Sequence, residues 1–142
     1  MPTLSSETLH ASTIAIDGRA VLIEGRSGSG KSDLALRLID RGAKLVSDDY
    51  TLVLRQGTGL IARPPGTITG KMEVRGLGIV ALPFVSDIPV ALIVQLDLEV
   101  LRMPERRLRQ IAGIGVRQIA LEPFQGSAPI KVELALRQEP GA

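Results

Sequence analysis

The sequence predicts a strand-rich α/β fold, a mixed sheet with one helix packed on it. Three observations carry that prediction. Short apolar stretches recur along the whole chain, one segment alone keeps a strong helical spacing of apolar residues, and a glycine- and serine-rich loop joins that segment to the strand before it. At 142 residues the chain has the size of a single domain, residues 1–142. A chain of that length buries roughly 68–70% of its unfolded surface and needs no covalent staples.

Leu9–Ile16 alternates and carries the β-branched Thr13, Ile14 and Ile16, so a strand is expected there. Asp17-Gly18 is a hairpin turn signal, and Ala20–Glu24 follows as a second, apolar strand. Gly25–Gly30 is loop. From Lys31 onward Leu34, Ala35, Leu38 and Ile39 fall on one side of a helix, with Gly42 as its stop beyond Arg41. Lys44–Ser47 returns to strand and ends in Asp48-Asp49, while Thr51–Leu54 and Leu60–Ala62 flank Gly57-Thr58-Gly59 as in a hairpin. Arg63-Pro64-Pro65-Gly66 is loop because consecutive prolines exclude helix. Gly70–Gly78 is punctuated too closely for one regular element. Val90–Leu96, the most apolar run, is expected as a buried central strand. Pro104–Gln110 is polar and basic and reads as a helical turn. Val116–Leu121 and Ile130–Leu136 are expected as late strands, the second alternating as Ile130, Val132, Leu134 and Leu136.

Composition narrows the function. Without cysteine there is no thiol nucleophile and no cysteine-based metal site, and with His10 as the only histidine two-histidine metal motifs are excluded as well. A net charge of +2 and only three aromatic residues (Tyr50, Phe84 and Phe124) argue against nucleic acid as a partner. No apolar run is long enough to cross a membrane, and the N-terminus lacks a basic-then-apolar leader. The expected location is cytoplasmic.

The strongest signal is Gly25-Arg26-Ser27-Gly28-Ser29-Gly30-Lys31-Ser32, which fits G-x-x-x-x-G-K-[ST] at every fixed position, between an apolar strand and an amphipathic helix. Glycines at 25, 28 and 30 are free to take positive φ, so that successive backbone N–H groups turn inward around an anion. The helix N-terminus adds partial positive charge. Lys31 then reaches the outer phosphates of a nucleoside triphosphate, and the Ser32 hydroxyl is placed to ligate Mg²⁺.

Such sites also need a carboxylate at a strand end to hold the metal's water shell, and Asp48-Asp49 supplies two. One can serve the metal while the other serves as general base to an acceptor group. Glu73 and Arg75, by alternation, point the same way and form a second polar cluster. Taken by itself that cluster is as consistent with a surface ion pair as with a site. His10 shows no obvious closeness to the loop, and Arg106-Arg107 in a polar segment read as solvent-facing.

Together these residues resemble the catalytic domain of HPr kinase/phosphorylase, in its short proteobacterial-type version lacking the N-terminal domain. The family shows a histidine near the first strand, a loop G-x-S-G-x-G-K-S, an acidic pair after the first helix, and E-x-R-G-x-G. In this chain these are His10, Gly25–Ser32, Asp48-Asp49 and Glu73-Val74-Arg75-Gly76-Leu77-Gly78, in the same order over about Thr8–Val80. The resemblance implies a PEP-carboxykinase-like P-loop fold and an ATP- and Mg²⁺-dependent serine kinase. Its substrate would be the phosphocarrier protein HPr, within the phosphotransferase system and carbon metabolism, with phosphorylase action as the reverse reaction. It implies Asp49 as the base toward serine, Asp48 beside the metal, Glu73 as a further metal ligand, and His10 near the active site. Arg75 would sit on phosphate, Arg106 would be the late catalytic arginine, and the protein would form a homo-oligomer, a hexamer in the family. Two other readings fit the loop: a small-molecule kinase, and a nucleotide-sensing module without catalysis.

Overall fold

The computed structural model describes residues 6–139. Along the chain run β1 (Ser6–Leu9), β2 (Ala11–Ile16), β3 (Arg19–Glu24), α1 (Lys31–Asp40), β4 (Lys44–Ser47), β5 (Thr51–Gln56), β6 (Gly59–Arg63), β7 (Lys71–Val74), β8 (Gly78–Ala81), β9 (Ile88–Gln95), β10 (Arg107–Ile111), β11 (Ile114–Ala120) and α2 (Ala128–Arg137), with a 3₁₀ turn at Gly66–Ile68. The main sheet has the order β1-β5-β6-β9-β3-β2-β4, and the β10–β11 hairpin joins it through β11 on β9. The β3–β9 and β9–β11 pairs are parallel and the remaining pairs antiparallel, so the sheet is mixed as predicted. β7 and β8 form a separate two-stranded hairpin.

Alternation along β3 sends its apolar side chains to two cores. Val21 and Ile23 face α1 and α2, joining Leu34, Leu38, Val132 and Leu136. Ala20 and Leu22 face the other way, joining Val53, Leu60, Ile93, Ile111 and Val116. The sheet folds over this second core: the backbone N–H of Ala112, at the β10–β11 turn, donates to Glu7 of β1 (2.9 Å).

Helix α1 forms where its apolar spacing places it. Leu34, Ala35 and Leu38 are buried, Asp33 and Arg37 pair across one turn (3.0 Å), and the end closes with Ala43 N–H on Leu38 O and Gly42 N–H on Ile39 O. Gly42, at φ 109, takes the left-handed conformation that this closure requires.

Three expectations are corrected. The expected strand Leu9–Ile16 is two strands with a bend at His10, because β1 pairs with β5 whereas β2 pairs with β3 and β4. As expected, the glycine-rich 70–78 stretch is not one regular element: it supplies the first strand and the turn of the β7–β8 hairpin. Pro104–Gln110 is not a helical turn; its second half is strand β10, paired with β11 across Ala112-Gly113, both at positive φ (48 and 81). Such a turn usually advertises itself with Asn or Asp before the Gly, and Ala112 does not. Ile130–Leu136 is helix, not strand, giving a second helix. Its alternating Ile130 and Leu134 are 42% and 49% exposed, while Ala128, Val132, Ala135 and Leu136 are buried at helical spacing. Pro129 in the first turn suits that start.

Glu139 fastens the end of α2 to the β10–β11 side, taking hydrogen bonds from Arg106 (3.0 and 2.8 Å) and Arg117 (3.0 Å). The Arg106 hydrogen bond, aided by Arg117, holds the Glu139 carboxyl below the usual carboxylate range. A depressed folded-state value means stabilisation that is present above the unfolded-state value and lost as pH falls through the folded one. Glu139→Gln should therefore lower Tm by a few degrees near neutral pH, and the gap from wild type should close in acid. A gap independent of pH in thermal melts would assign the effect to packing instead.

Candidate functional site

The C-terminal ends of the parallel strands β3 and β9 open on one edge, and the loop Gly25–Gly30 turns there into α1. Gly28 and Gly30 take positive φ (81 and 104), as the cradle of inward N–H groups requires. Gly25 does not, and is needed for a different reason. A Cβ on it would run into the Ser29 hydroxyl and lie 3.2 Å from Leu96 Cβ. Ser29 Oγ is buried and has no hydrogen-bond partner, so it packs behind the loop. Lys31 is also buried, its Nζ donating to the carbonyls of Gly25 (2.7 Å) and Arg26 (3.1 Å). The lysine is thus drawn into the loop by the loop's own carbonyls.

The acidic pair at the end of β4 splits into two environments. Asp48 is buried; its Oδ1 accepts from Ser12 Oγ (2.8 Å) and Ser32 Oγ (2.7 Å), and its Oδ2 from the backbone N–H of Glu73 (3.2 Å). One carboxylate thereby ties β2, α1 and β7 together. Asp49 turns outward, at φ 69, with its side chain 61% exposed. A carboxylate can only accept, so the Nε2–H of His10 donates to Asp49 Oδ1 (2.8 Å). The His10 ring is stacked on Tyr50, with centroids 4.9 Å apart. The bend that breaks the predicted first strand is what carries His10 to this place.

A cavity of about 940 Å³ lies over the loop, walled by Lys31, Ser32, Asp48, Asp49, Glu73 and Arg75, with Ser27, Gly28 and Gly30 at the cradle. That volume falls within the usual range of small-molecule sites. Glu73, near the end of β7, and Arg75, in the turn after it, both line the cavity, Arg75 by way of the turn and not by strand alternation. Five of the predicted residues do not line the cavity: His10 reaches it only through Asp49, Gly25 and Ser29 stand within the loop, and Arg26 and Arg106 lie elsewhere. Arg26 donates its backbone N–H to Asp97 (2.6 Å) and holds its largely exposed guanidinium 3.6 Å from the same carboxylate. Arg106 is bound to Glu139 and does not line the cavity. Gly25 and Ser29 shape the loop from behind.

Two contributors were missed by sequence reasoning. Ser12 is fully buried beside Asp48, and a polar residue inside the apolar strand β2 was the available signal. Phe124 lines the cavity from the loop before α2 and gave no local signal. Among the described residues no three His, Cys, Asp or Glu side chains converge as an all-protein metal cage. The Ser32 hydroxyl with the carboxylates of Asp48 and Glu73 is instead a sparse set of hard oxygens, which fits Mg²⁺, an ion that keeps several waters and binds one or two carboxylates plus phosphate.

Among the described residues no helix is long and apolar enough to cross a membrane. Residues 3–88 match the family described as HPr Serine kinase C-terminal domain. The chain is 35% identical over 144 aligned residues to an HPr kinase/phosphorylase of Burkholderia lata, covering 92% of this chain and 45% of that protein. It is 47% identical over 73 residues to one of Chlorobium limicola, covering 50% of this chain and 22% of that protein. The chain thus spans less than half the length of these curated relatives. Its fold resembles the solved Hpr(Ser) kinase/phosphatase of Coxiella burnetii, with a TM-score of 0.80, 30% identity, and coverage of 92% of this chain and 94% of that one.

Proposed function

This chain belongs to the HPr serine kinase family, and on that premise we propose that it is an ATP- and Mg²⁺-dependent kinase of a seryl hydroxyl on an HPr-like phosphocarrier protein, acting in the cytoplasm. The observation that carries the reading is the division of labour in the acidic pair: Asp48 buried on the Ser32 hydroxyl, Asp49 exposed at the cavity and oriented by His10.

Phosphoryl transfer asks the protein for position and charge stabilisation more than for covalent chemistry. The N–H groups of Gly28 and Gly30 and the Lys31 ammonium hold the phosphate oxygens, and Arg75, which lines the same cavity, adds a second cation. Mg²⁺, when bound by Ser32 and Glu73 with Asp48 ordering its waters, supplies charge neutralisation. Asp49 accepts the serine proton as the acceptor oxygen attacks, and His10 keeps its carboxylate turned to the site. In the dephosphorylating direction inorganic phosphate would attack the seryl phosphate, the P–O bond to serine would break, pyrophosphate would form, and the same Asp49 would return the proton to the serine oxygen.

The test is mass spectrometry of purified HPr after incubation with this protein, Mg²⁺ and ATP. One phosphate on a serine is the expected result. Phosphate on a small metabolite with HPr unmodified would favour a small-molecule kinase, and nucleotide binding without transfer to any acceptor would favour a sensing module.

A further inference from the structure

We propose that Phe124 is the stacking surface for the nucleobase of the donor nucleotide, a subsite that rests on the nucleotide reading above and extends it from the phosphates to the base. The chain has three aromatic residues. Tyr50 is occupied by the His10 ring, and Phe84 packs its ring edge on Gly70, 2.9 Å from where a Cβ would stand. Phe124 is the one that faces the cavity, and it is 66% exposed there. Its ring lies directly on the last glycine of the phosphate loop, with Cζ and Cε1 at 3.0 and 3.1 Å from the position of a Cβ on Gly30.

An exposed phenylalanine on a mobile loop would mean little, but this one is held. Arg37 of α1 donates to the carbonyls on both sides of it, those of Pro123 and of Gln125 (3.3 Å), while Asp33 fixes Arg37 in turn (3.0 Å). Lys131 of α2 donates to the Gln125 side chain (2.9 Å). The ring is thus fixed in place at the start of α1, on the side of the loop where Asp33 also lines the cavity. Leu36 and the largely exposed Ile79 line the same cavity and add to its apolar surface. A purine stacked on Phe124 would cover apolar surface now left in water. Stacking on an aromatic face is the common way for a protein to hold a base without reading its edge.

The test compares ATP with inorganic tripolyphosphate, which shares the phosphates and lacks the base, by calorimetry in the presence of Mg²⁺. Phe124→Ala should weaken ATP by about 5- to 150-fold, the usual worth of one base–aromatic stack, and leave tripolyphosphate nearly unchanged. Because the chain has no tryptophan, Phe124→Trp supplies a single reporter. ATP should quench its emission at near wild-type affinity, and tripolyphosphate should not. Equal weakening of both ligands by Phe124→Ala would overturn the proposal, since the ring would then only support the loop. Unchanged ATP affinity with a raised KM for HPr would also overturn it, in favour of acceptor docking. Absence of any tripolyphosphate binding by the wild-type protein, by contrast, would remove the phosphate-loop reading itself, and the base subsite with it.

Discussion

Asp49→Asn should slow transfer to serine by about 10²–10⁴-fold, the usual worth of general-base catalysis, while ATP affinity stays near that of the wild type. The substitution is unusually clean at this position. Asp49 sits at φ 69, a left-handed conformation that Asn tolerates as well as Asp does, so no backbone strain enters. The amide oxygen can still accept from His10 Nε2–H, so the contact at 2.8 Å need not be lost. What disappears is the proton acceptor and one negative charge at the cavity in which the proposed reaction places the outermost phosphate. ATP binding should therefore be unchanged or slightly tighter. The measurement is single-turnover transfer to HPr alongside equilibrium ATP binding. Equal, small losses for Asp49→Asn and Asp48→Asn would mean that neither carboxylate is the base.

Lys31→Ala should reduce phosphotransfer by at least about 10²–10³-fold, as expected for removing a preorganised donor from the charge that develops on the phosphates. Here the structure modifies what the sequence suggests. Lys31 is not an idle loop cation awaiting a ligand: it is buried at the first position of α1 and donates to Gly25 O and Arg26 O. Its removal strips two loop carbonyls of a charged donor, so the variant should also be less stable by about 1–3 kcal/mol. Thermal melts and tripolyphosphate binding separate the two effects. A variant that melts early, yet turns over normally at a temperature where it is folded, would place Lys31 in the scaffold alone.

The recognisable part of the site is contiguous. Gly25–Ser32 can be read because the loop's chemistry is met by neighbouring backbone N–H groups and by the first turn of one helix, all within eight residues. The hairpin of β5 and β6 and the stop of α1 at Gly42 are legible for the same reason, since turn and cap residues act on their neighbours. Pairings across the sheet are another matter. Ser12 and Asp48 are 36 residues apart, and His10 and Asp49 are 39 apart. They meet because β2 runs antiparallel to β4 with Thr13 opposite Ser47, a register no local pattern specifies.

By itself, then, the sequence determined that a strand, a glycine-rich loop, a helix and an acidic strand end follow one another, and hence which kind of ligand to propose for the loop. Tertiary structure alone decided which carboxylate faces inward, that the lone histidine orients the other, that Arg106 belongs to Glu139, and that Phe124 lies on Gly30. It also decided that Ile130–Leu136 is helical, because its apolar residues fit either period and only burial against α1 and the sheet selects Val132, Ala135 and Leu136. The reason is the same in each case. Local chemistry is fixed by residues that are neighbours in the chain, whereas facing, register and burial depend on surfaces that exist only once distant segments have packed.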